Sequence, residues 1–150
     1  MKTIYEEISK QLQQQVPELK WIDLDKGQLK IIGKDDKPPL IYPCALISIT
    51  LPRCKDLTDY TQDCEGVITV RLAFDPILHM RTSTGAPEDA RENSLGPYDI
   101  IAGTYKALQG FGTKYFDPLS RTSQSEESHA KLFVYKQLFG TKFEDLTAER

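Results

Sequence analysis

The chain has 150 residues, of which 39% are hydrophobic and 27% are charged, and its formal net charge is −3. A chain of this length fits one domain and can bury about 70% of the surface that it exposes when unfolded. This composition excludes full disorder, a collagen-like repeat and a disulfide scaffold. No apolar run reaches the roughly 20 residues of a membrane span, and the N-terminus lacks the apolar segment of a secretory signal. We therefore expect a single intracellular domain, residues 1–150, without a membrane partner.

Basic residues are scattered along the chain rather than clustered. The 19 lysines and arginines are interleaved with 22 acidic residues. Proteins that bind duplex DNA carry a basic patch, because they must neutralise phosphates. The sequence has no such cluster, so we expect no direct binding of nucleic acid.

Two segments have the apolar periodicity of amphipathic helices. The first covers residues 3–16 and ends before Pro17, because the residue that precedes a proline avoids helical geometry. The second covers residues 98–110, with Pro97 at its start and Gly110 at its end.

The least regular stretch is residues 75–97. Three prolines punctuate it, and the segment 82–87 is rich in turn-forming residues. Loops of this length in compact domains are functional or disordered. We interpret residues 75–97 as a mobile loop excursion from the domain.

The remaining apolar segments predict strands. Residues 44–51 and 66–74 alternate apolar and polar side chains, which is typical of an antiparallel sheet with one buried face. The link 53–65 between them is polar and long for a hairpin. Residues 19–24 and 28–32 are predicted to form a short hairpin around a turn at Asp25-Lys26-Gly27.

The C-terminal third is also predicted to be β. Residues 116–124 carry few apolar side chains and predict an exposed edge strand, followed by a polar turn over 123–128. Residues 131–139 are apolar on both faces, which indicates a strand that is central in the sheet or covered by a helix. Residues 141–150 are expected to fray. The fold class is therefore α+β: a mostly antiparallel β-sheet with the two helices, 3–16 and 98–110, packed on one face.

The three cysteines, Cys44, Cys54 and Cys64, form no Cys-x-x-Cys pair. A structural zinc site needs four ligands, usually in close-set pairs, so we expect no metal site. Cys44 and Cys64 flank predicted adjacent strands, which leaves a facing pair open. In a reducing compartment they would stay thiols.

The sequence contains none of the motifs that mark common enzymes. It lacks the phosphate loop, the dinucleotide glycine pattern, the His-x-x-x-His pair and the Gly-x-Ser-x-Gly elbow. A cysteine nucleophile needs a nearby histidine, and Cys64 with His129 is the one pairing that we consider. We expect no catalytic, cofactor-binding or metal-ligating residues, no cofactor and no enzymatic activity, with a small enzyme kept as the third alternative.

One ordered set of segments is more specific. A helix ends in Leu108-Gln109-Gly110, an edge strand follows over 116–124, and the closing strand reads Val134-Tyr135-Lys136-Gln137-Leu138-Phe139. This order resembles the tail-completion (tail-terminator) proteins of tailed bacteriophages and prophages. The N-terminal helix and the strands at 43–49 and 66–74 follow the same layout, so the resemblance covers most of the chain.

The resemblance implies a structural role. Such proteins form a ring, typically a hexamer, which caps the tail tube, stops its growth and joins it to the head connector. The implied partners are further copies of the chain, the tail tube protein and the head–tail connector protein. The implied location is the bacterial cytoplasm during assembly and then the virion tail.

For a ring subunit we expect contacts through the loops 53–65 and 75–97 and through the edge 116–124. Four arginines are candidates for salt bridges between subunits: Arg71, Arg81, Arg91 and Arg121. The alternative reading is a small α+β adaptor module that binds another protein without forming a ring.

Overall fold

The computed structural model describes residues 1–31, 40–129 and 132–150. Within them the elements follow in this order: α1 (Lys2–Gln15), β1 (Trp21–Leu24), a 3-10 turn (Gln28–Ile31), β2 (Cys44–Asp56), β3 (Gln62–Phe74), a 3-10 turn (Pro76–His79), α2 (Glu88–Leu108), β4 (Ser120–His129) and β5 (Leu132–Asp145). The strands form one sheet in the order β1-β2-β3-β5-β4. Only the β1–β2 pair among them is parallel. The predicted α+β class is confirmed.

Both helices pack on one face of the sheet and make the main core. The stripe Ile4, Ile8 and Leu12 of α1 is buried there, as its four-residue spacing predicts. The strands contribute the inward residues of their alternation. The buried strand residues of this core are Ala45, Ile47, Ile68, Val70, Leu72, Phe74, Phe133 and Phe139.

A smaller apolar cluster lies on the opposite face of the sheet. It contains Leu29 from the first 3-10 turn, together with Cys44, Leu46, Ala73 and Val134. Residues of β2, β3 and β5 are therefore buried on both faces at this end of the sheet. The central position predicted for the strand 131–139 is confirmed over its described residues, because β5 lies between β3 and β4.

Helix α2 begins ten residues earlier than the predicted 98–110. It runs from Glu88 to Leu108 and keeps Pro97 inside it. Glu88 and Asp89 in its first turn favour this start, because negative charge is stabilising at a helix N-terminus. The second half of the predicted loop excursion is thus helical; its mobility stays a prediction.

The predicted hairpin 19–24/28–32 is wrong. β1 pairs with β2 in parallel, and the chain after it turns into a 3-10 helix. The buried Gln28 holds this turn: its side chain donates to the Leu24 carbonyl and accepts from the Lys26 N–H. Gly27 does take a positive φ, 81°, as predicted. Residue 32 lies outside the described residues.

The polar link 53–65 is largely strand rather than loop. After a bulge between Thr50 and Arg53, β2 continues to Asp56, and β3 then starts at Gln62. A tight turn joins them, in which the Thr58 hydroxyl accepts from backbone N–H groups. We call residues 50–65 the arm. Sequence patterning missed it because few of its side chains are buried.

The last two strands are shifted and longer than predicted. The edge strand is Ser120–His129 rather than 116–124, so the predicted turn 123–128 is itself strand. β5 reaches Asp145, within the tail that was expected to fray. The hydroxyl of Thr141 in this extension donates to the Asp117 carbonyl at 2.6 Å.

Gly112 lies in the loop after α2, against the backbone of Pro118. A Cβ added at Gly112 would lie 2.8 Å from the Pro118 nitrogen, whereas one at Gly103 in α2 would meet its nearest atom at 4.0 Å. We expect Gly112→Ala to destabilise the fold by about 2 kcal/mol through steric overlap. Gly103→Ala should stabilise it by about 0.5–1 kcal/mol, since alanine favours helix. Urea unfolding followed by circular dichroism measures both, and equal shifts of one sign would contradict this account.

Candidate functional site

Strand β4 forms an open edge of the sheet. It is last in the strand order, and its ten residues extend over roughly 33 Å. All of its residues are exposed except Glu127 and His129, which are half-buried. Within the described part of the chain, no strand pairs with its outer side. An uncovered row of backbone donors and acceptors is a template for pairing with another chain.

Two side-chain contacts hold the start of β4 against helix α2. The Arg121 guanidinium stacks on the Tyr105 ring, with 3.7 Å from its carbon to the ring centre. The Arg121 N–H donates to the Gln109 side chain at 2.9 Å, and its guanidinium donates to Gln124 at 2.8 Å. These contacts hold the start of the β4 edge in a defined position against the rest of the fold.

A buried amide lies beneath the middle of β4. The Gln137 side chain on β5 is fully buried and donates to the Gln124 side chain at 2.7 Å and to the Ile101 carbonyl at 3.0 Å. It thus ties β5 to both β4 and α2. The signal in the sequence was a glutamine at an inward position of an otherwise apolar alternation, which sequence reasoning passed over.

The second prominent surface is the tip of the arm. Leu57 and Tyr60 are 52% and 46% exposed there, and the Arg150 guanidinium lies 5.1 Å from the Tyr60 ring centre. β1 pairs with β2 only as far as Ile47, so the remainder of β2 forms a second open edge among the described residues. Pro52 interrupts the backbone donors of that edge.

A groove of about 970 Å³ opens between the C-terminal end of α1, the segment 40–43 and α2. Its apolar wall includes Val16, Tyr42 and Phe74. Among the described residues, the charged ones that line it are Glu18, Lys20, Asp75 and Asp99. With Glu18 and Asp99 beside Lys20, this described part of the lining suits a basic ligand or peptide.

Arg71 lies on the sheet face opposite the helices, inside an intrachain network. Its guanidinium is 3.0 Å from the carboxylates of both Asp25 and Glu127. His129 lies 2.7 Å and Lys136 3.8 Å from the same Glu127 carboxylate. The network links the turn after β1 to both β3 and β4. It therefore connects the two outermost strands of the sheet through side chains.

The network keeps Glu127 ionised. Hydrogen bonds from Arg71 and from His129 lower the pKa of Glu127 from 4.5 to about 2. The hydrogen bond between Arg71 and Glu127 also raises the pKa of Arg71 above its ordinary value. Sequence analysis placed Glu127 in a solvated turn, because nothing in the chain order indicates that Asp25, Arg71 and Glu127 meet.

The other three candidate arginines differ in their exposure and in the contacts that they form. Arg121 is stacked on Tyr105, as described above. Arg81 is exposed, and its backbone N–H donates to the buried Ser94 hydroxyl at 3.2 Å. Arg91 is half-buried in the first turns of α2. In the described ranges, neither the Arg81 nor the Arg91 side chain forms an ion pair, and the ion-pair partners of Arg71 are Asp25 and Glu127.

The pairing of Cys64 with His129 is wrong. Cys64 lies opposite Phe143 and His129 lies opposite Leu132, eleven positions apart on β5 (143 − 132 = 11). At the usual rise this separates them by roughly 35 Å. Of the residues that the structure describes, no three His, Cys, Asp or Glu side chains are grouped to hold a metal ion.

Cys64 faces Cys54, not Cys44. Cys54 and Cys64 are register partners on β2 and β3, while Cys44 lies opposite Ala73. All three are free thiols. The facing pair that the sequence left open therefore involves a different partner.

Comparison with known proteins assigns no family. No protein-family model and no curated protein matches the sequence. Among solved structures, the chain is similar to one from the virion of a native gene transfer agent (GTA) particle, at 13% identity and a TM-score of 0.45, with 92% of each chain covered. Neither helix that the structure describes is long and apolar enough to span a bilayer.

Proposed function

We propose that this chain is a structural tail-completion protein of a phage or prophage. In this proposal its copies close into a ring, as a hexamer, which caps the tail tube and contacts the head connector. The support from the sequence is the ordered resemblance that ends in the strand 134–139. The observation that carries the proposal is the open edge of β4, a ten-residue strand with eight exposed residues, whose start packs against α2.

Two different surfaces of the subunit, the edge of β4 and the arm, suit head-to-tail association. A ring requires two unlike surfaces on each subunit that fit each other after a closing rotation. β4 presents one such surface, an open strand edge, and the arm presents another, the open edge of β2 that lies beyond its pairing with β1. The proposed contact joins β4 of one subunit to the arm of the next.

We assign contacts between subunits to only some of the four candidate arginines. Arg71 is engaged within its own subunit, so we do not assign it a bridge between subunits. Arg81 and Arg91 are proposed as contact residues, because their side chains are free of ion pairs among the described residues. Surface ion pairs contribute little individually, so strand pairing is expected to dominate the contact.

The groove supports the alternative function, a protein-binding adaptor without ring assembly. Its apolar wall and the acids Glu18 and Asp99 in its lining fit an extended basic peptide better than a small polar substrate. An adaptor would stay a monomer or a dimer with no tendency to form a ring, and would bind its partner in the groove. The oligomeric state therefore separates the two functions.

Lysines on β4 test the edge directly. We expect Ser123→Lys combined with Glu126→Lys to weaken self-association at least about tenfold, since edge lysines oppose addition of a strand. Both positions are exposed, so the subunit fold should persist. Sedimentation velocity over a concentration series gives the association constant.

The matched control is Gln14→Lys combined with Glu6→Lys on α1, outside every proposed contact surface. It makes the same change in net charge at exposed sites away from β4. The control should associate like the unmodified chain. Equal weakening in both double variants would show a general charge effect and would remove the assigned role of the β4 edge.

A further inference from the structure

Cys54 and Cys64 form a facing pair across β2 and β3. They are direct register partners in an uninterrupted antiparallel segment, which also pairs Lys55 with Asp63 and Asp56 with Gln62. The bulge of this strand pair lies further along, between Thr50 and Arg53. Both cysteine side chains are therefore on the same side of the sheet.

The hydrogen-bond pattern brings this pair close. The Leu57 N–H donates to the Thr61 carbonyl at 2.9 Å, which makes Leu57 and Thr61 a hydrogen-bonded pair. Such pairs alternate along an antiparallel ladder, so Cys54 and Cys64, three positions further on, are a non-hydrogen-bonded pair. The Cα atoms of such a pair lie about 4.5 Å apart, within the range that a disulfide needs.

The two thiols differ in their access to solvent. Cys54 is exposed, whereas Cys64 is fully buried. Burial, together with a hydrogen bond to Cys54, raises the pKa of the Cys64 thiol to about 11. An exposed thiol beside a buried one is the arrangement in which a small oxidant reaches the first and the second completes the bond.

We propose that Cys54 and Cys64 are a redox-active pair that closes to an intramolecular disulfide, with a small-molecule disulfide such as oxidised glutathione as the oxidant. This site goes beyond the proposed function and does not depend on it. Closure would join β2 to β3 around the turn at the tip of the arm, so that the tip would lose freedom.

The reaction proceeds in two balanced steps. The Cys54 thiolate attacks one sulfur of oxidised glutathione, whose S–S bond breaks to release one glutathione thiolate. The Cys64 thiolate then attacks the Cys54 sulfur and expels the second glutathione. The two cysteine protons end on the two released glutathiones. The protein thiols lose two electrons, and oxidised glutathione gains them.

Trypsin separates the three cysteines, which makes the product directly readable. It cleaves after Arg53, Lys55 and Arg71, so that each cysteine falls on a different peptide. The protein is treated with oxidised glutathione and its free thiols are blocked. We then expect peptide 54–55 to be disulfide-linked to peptide 56–71 in chains that are not cross-linked to another chain. The closing step should accelerate about tenfold per pH unit between neutral pH and the Cys64 pKa.

Three variants provide the controls. Cys44→Ser should give the same cross-link, whereas the exposed Cys54→Ser should give none. Cys64→Ser should keep glutathione on Cys54; because Cys64 is buried, Cys54→Ser serves as the test if that variant fails to fold. A stable glutathione adduct on Cys54 in the unmodified chain, a cross-link that contains Cys44, dimers joined through Cys54, or no reaction would each overturn the proposal.

Discussion

Replacing Phe139 with alanine is expected to lower the free energy of unfolding by about 4 kcal/mol. Phe139 is fully buried on β5, where it lies opposite Ile68 and beneath the helices. The loss combines the transfer free energy of the ring with the cavity that it leaves. Neighbours on three strands cannot collapse into this cavity without breaking the ladder of the sheet.

Urea unfolding followed by circular dichroism measures this loss. The control is Tyr115→Ala, because Tyr115 is an aromatic residue that is 44% exposed. Its effect should stay within about 1 kcal/mol. If the two variants lose similar stability, Phe139 is not part of a close-packed core, and the packing of the helices against β5 is wrong.

Replacing Arg71 with alanine is expected to cost about 2 kcal/mol. The substitution leaves the carboxylates of Asp25 and Glu127 without their shared partner. The Arg71, Asp25 and Glu127 side chains are 26%, 14% and 24% exposed. This partial exposure keeps the cost below that of a fully buried pair and above that of a surface pair.

The same network predicts a pH dependence. Because the folded pKa of Glu127 is about 2 and its ordinary value is 4.5, its ionised form stabilises the fold fully above pH 4.5. That stability is lost as the pH falls from about 4.5 to about 2. In Arg71→Ala the loss over this window should be smaller, since the hydrogen bonds that lower the Glu127 pKa are reduced.

Arg53→Ala is the control for this experiment, because Arg53 is an exposed arginine on the arm. Its unfolding free energy should follow that of the unmodified chain at every pH. If the unfolding free energy of Arg71→Ala has the same acid dependence as that of the unmodified chain, Arg71 does not lower the pKa of Glu127.

The sequence predicted the elements that bury a periodic apolar face. Helix α1 and the inner parts of β2, β3 and β5 were found because Ile8 and its neighbours repeat at helical spacing and Ile68 and its neighbours alternate. Burial imposes these periods directly. The α+β class followed from their order.

Elements with little burial were missed or shifted. The arm and β4 expose both faces over most of their length, so their side chains carry no periodic signal. β1 was assigned to the wrong partner because its parallel pairing with β2 is a long-range contact. The start of α2 was predicted too late in the chain, because proline often occupies the first position of a helix. Pro97 instead lies inside this helix.

The candidate site was predicted only in outline. The open edge was expected near residue 120, but the network around Arg71 and the pairing of Cys54 with Cys64 were not. Each depends on which strands are neighbours and in what register. A sequence taken alone does not contain that information in a local pattern.

The most direct test of the central claim, self-association into a closed ring, is native mass spectrometry of the unmodified chain. It is made over a concentration series in reducing buffer, so that cysteine cross-links play no part. The proposal predicts one closed oligomer, the hexamer, whose share rises with concentration and falls in the Ser123→Lys, Glu126→Lys variant. A strict monomer at every concentration, unaffected by those substitutions, would contradict it and would favour the adaptor that binds a partner in the groove.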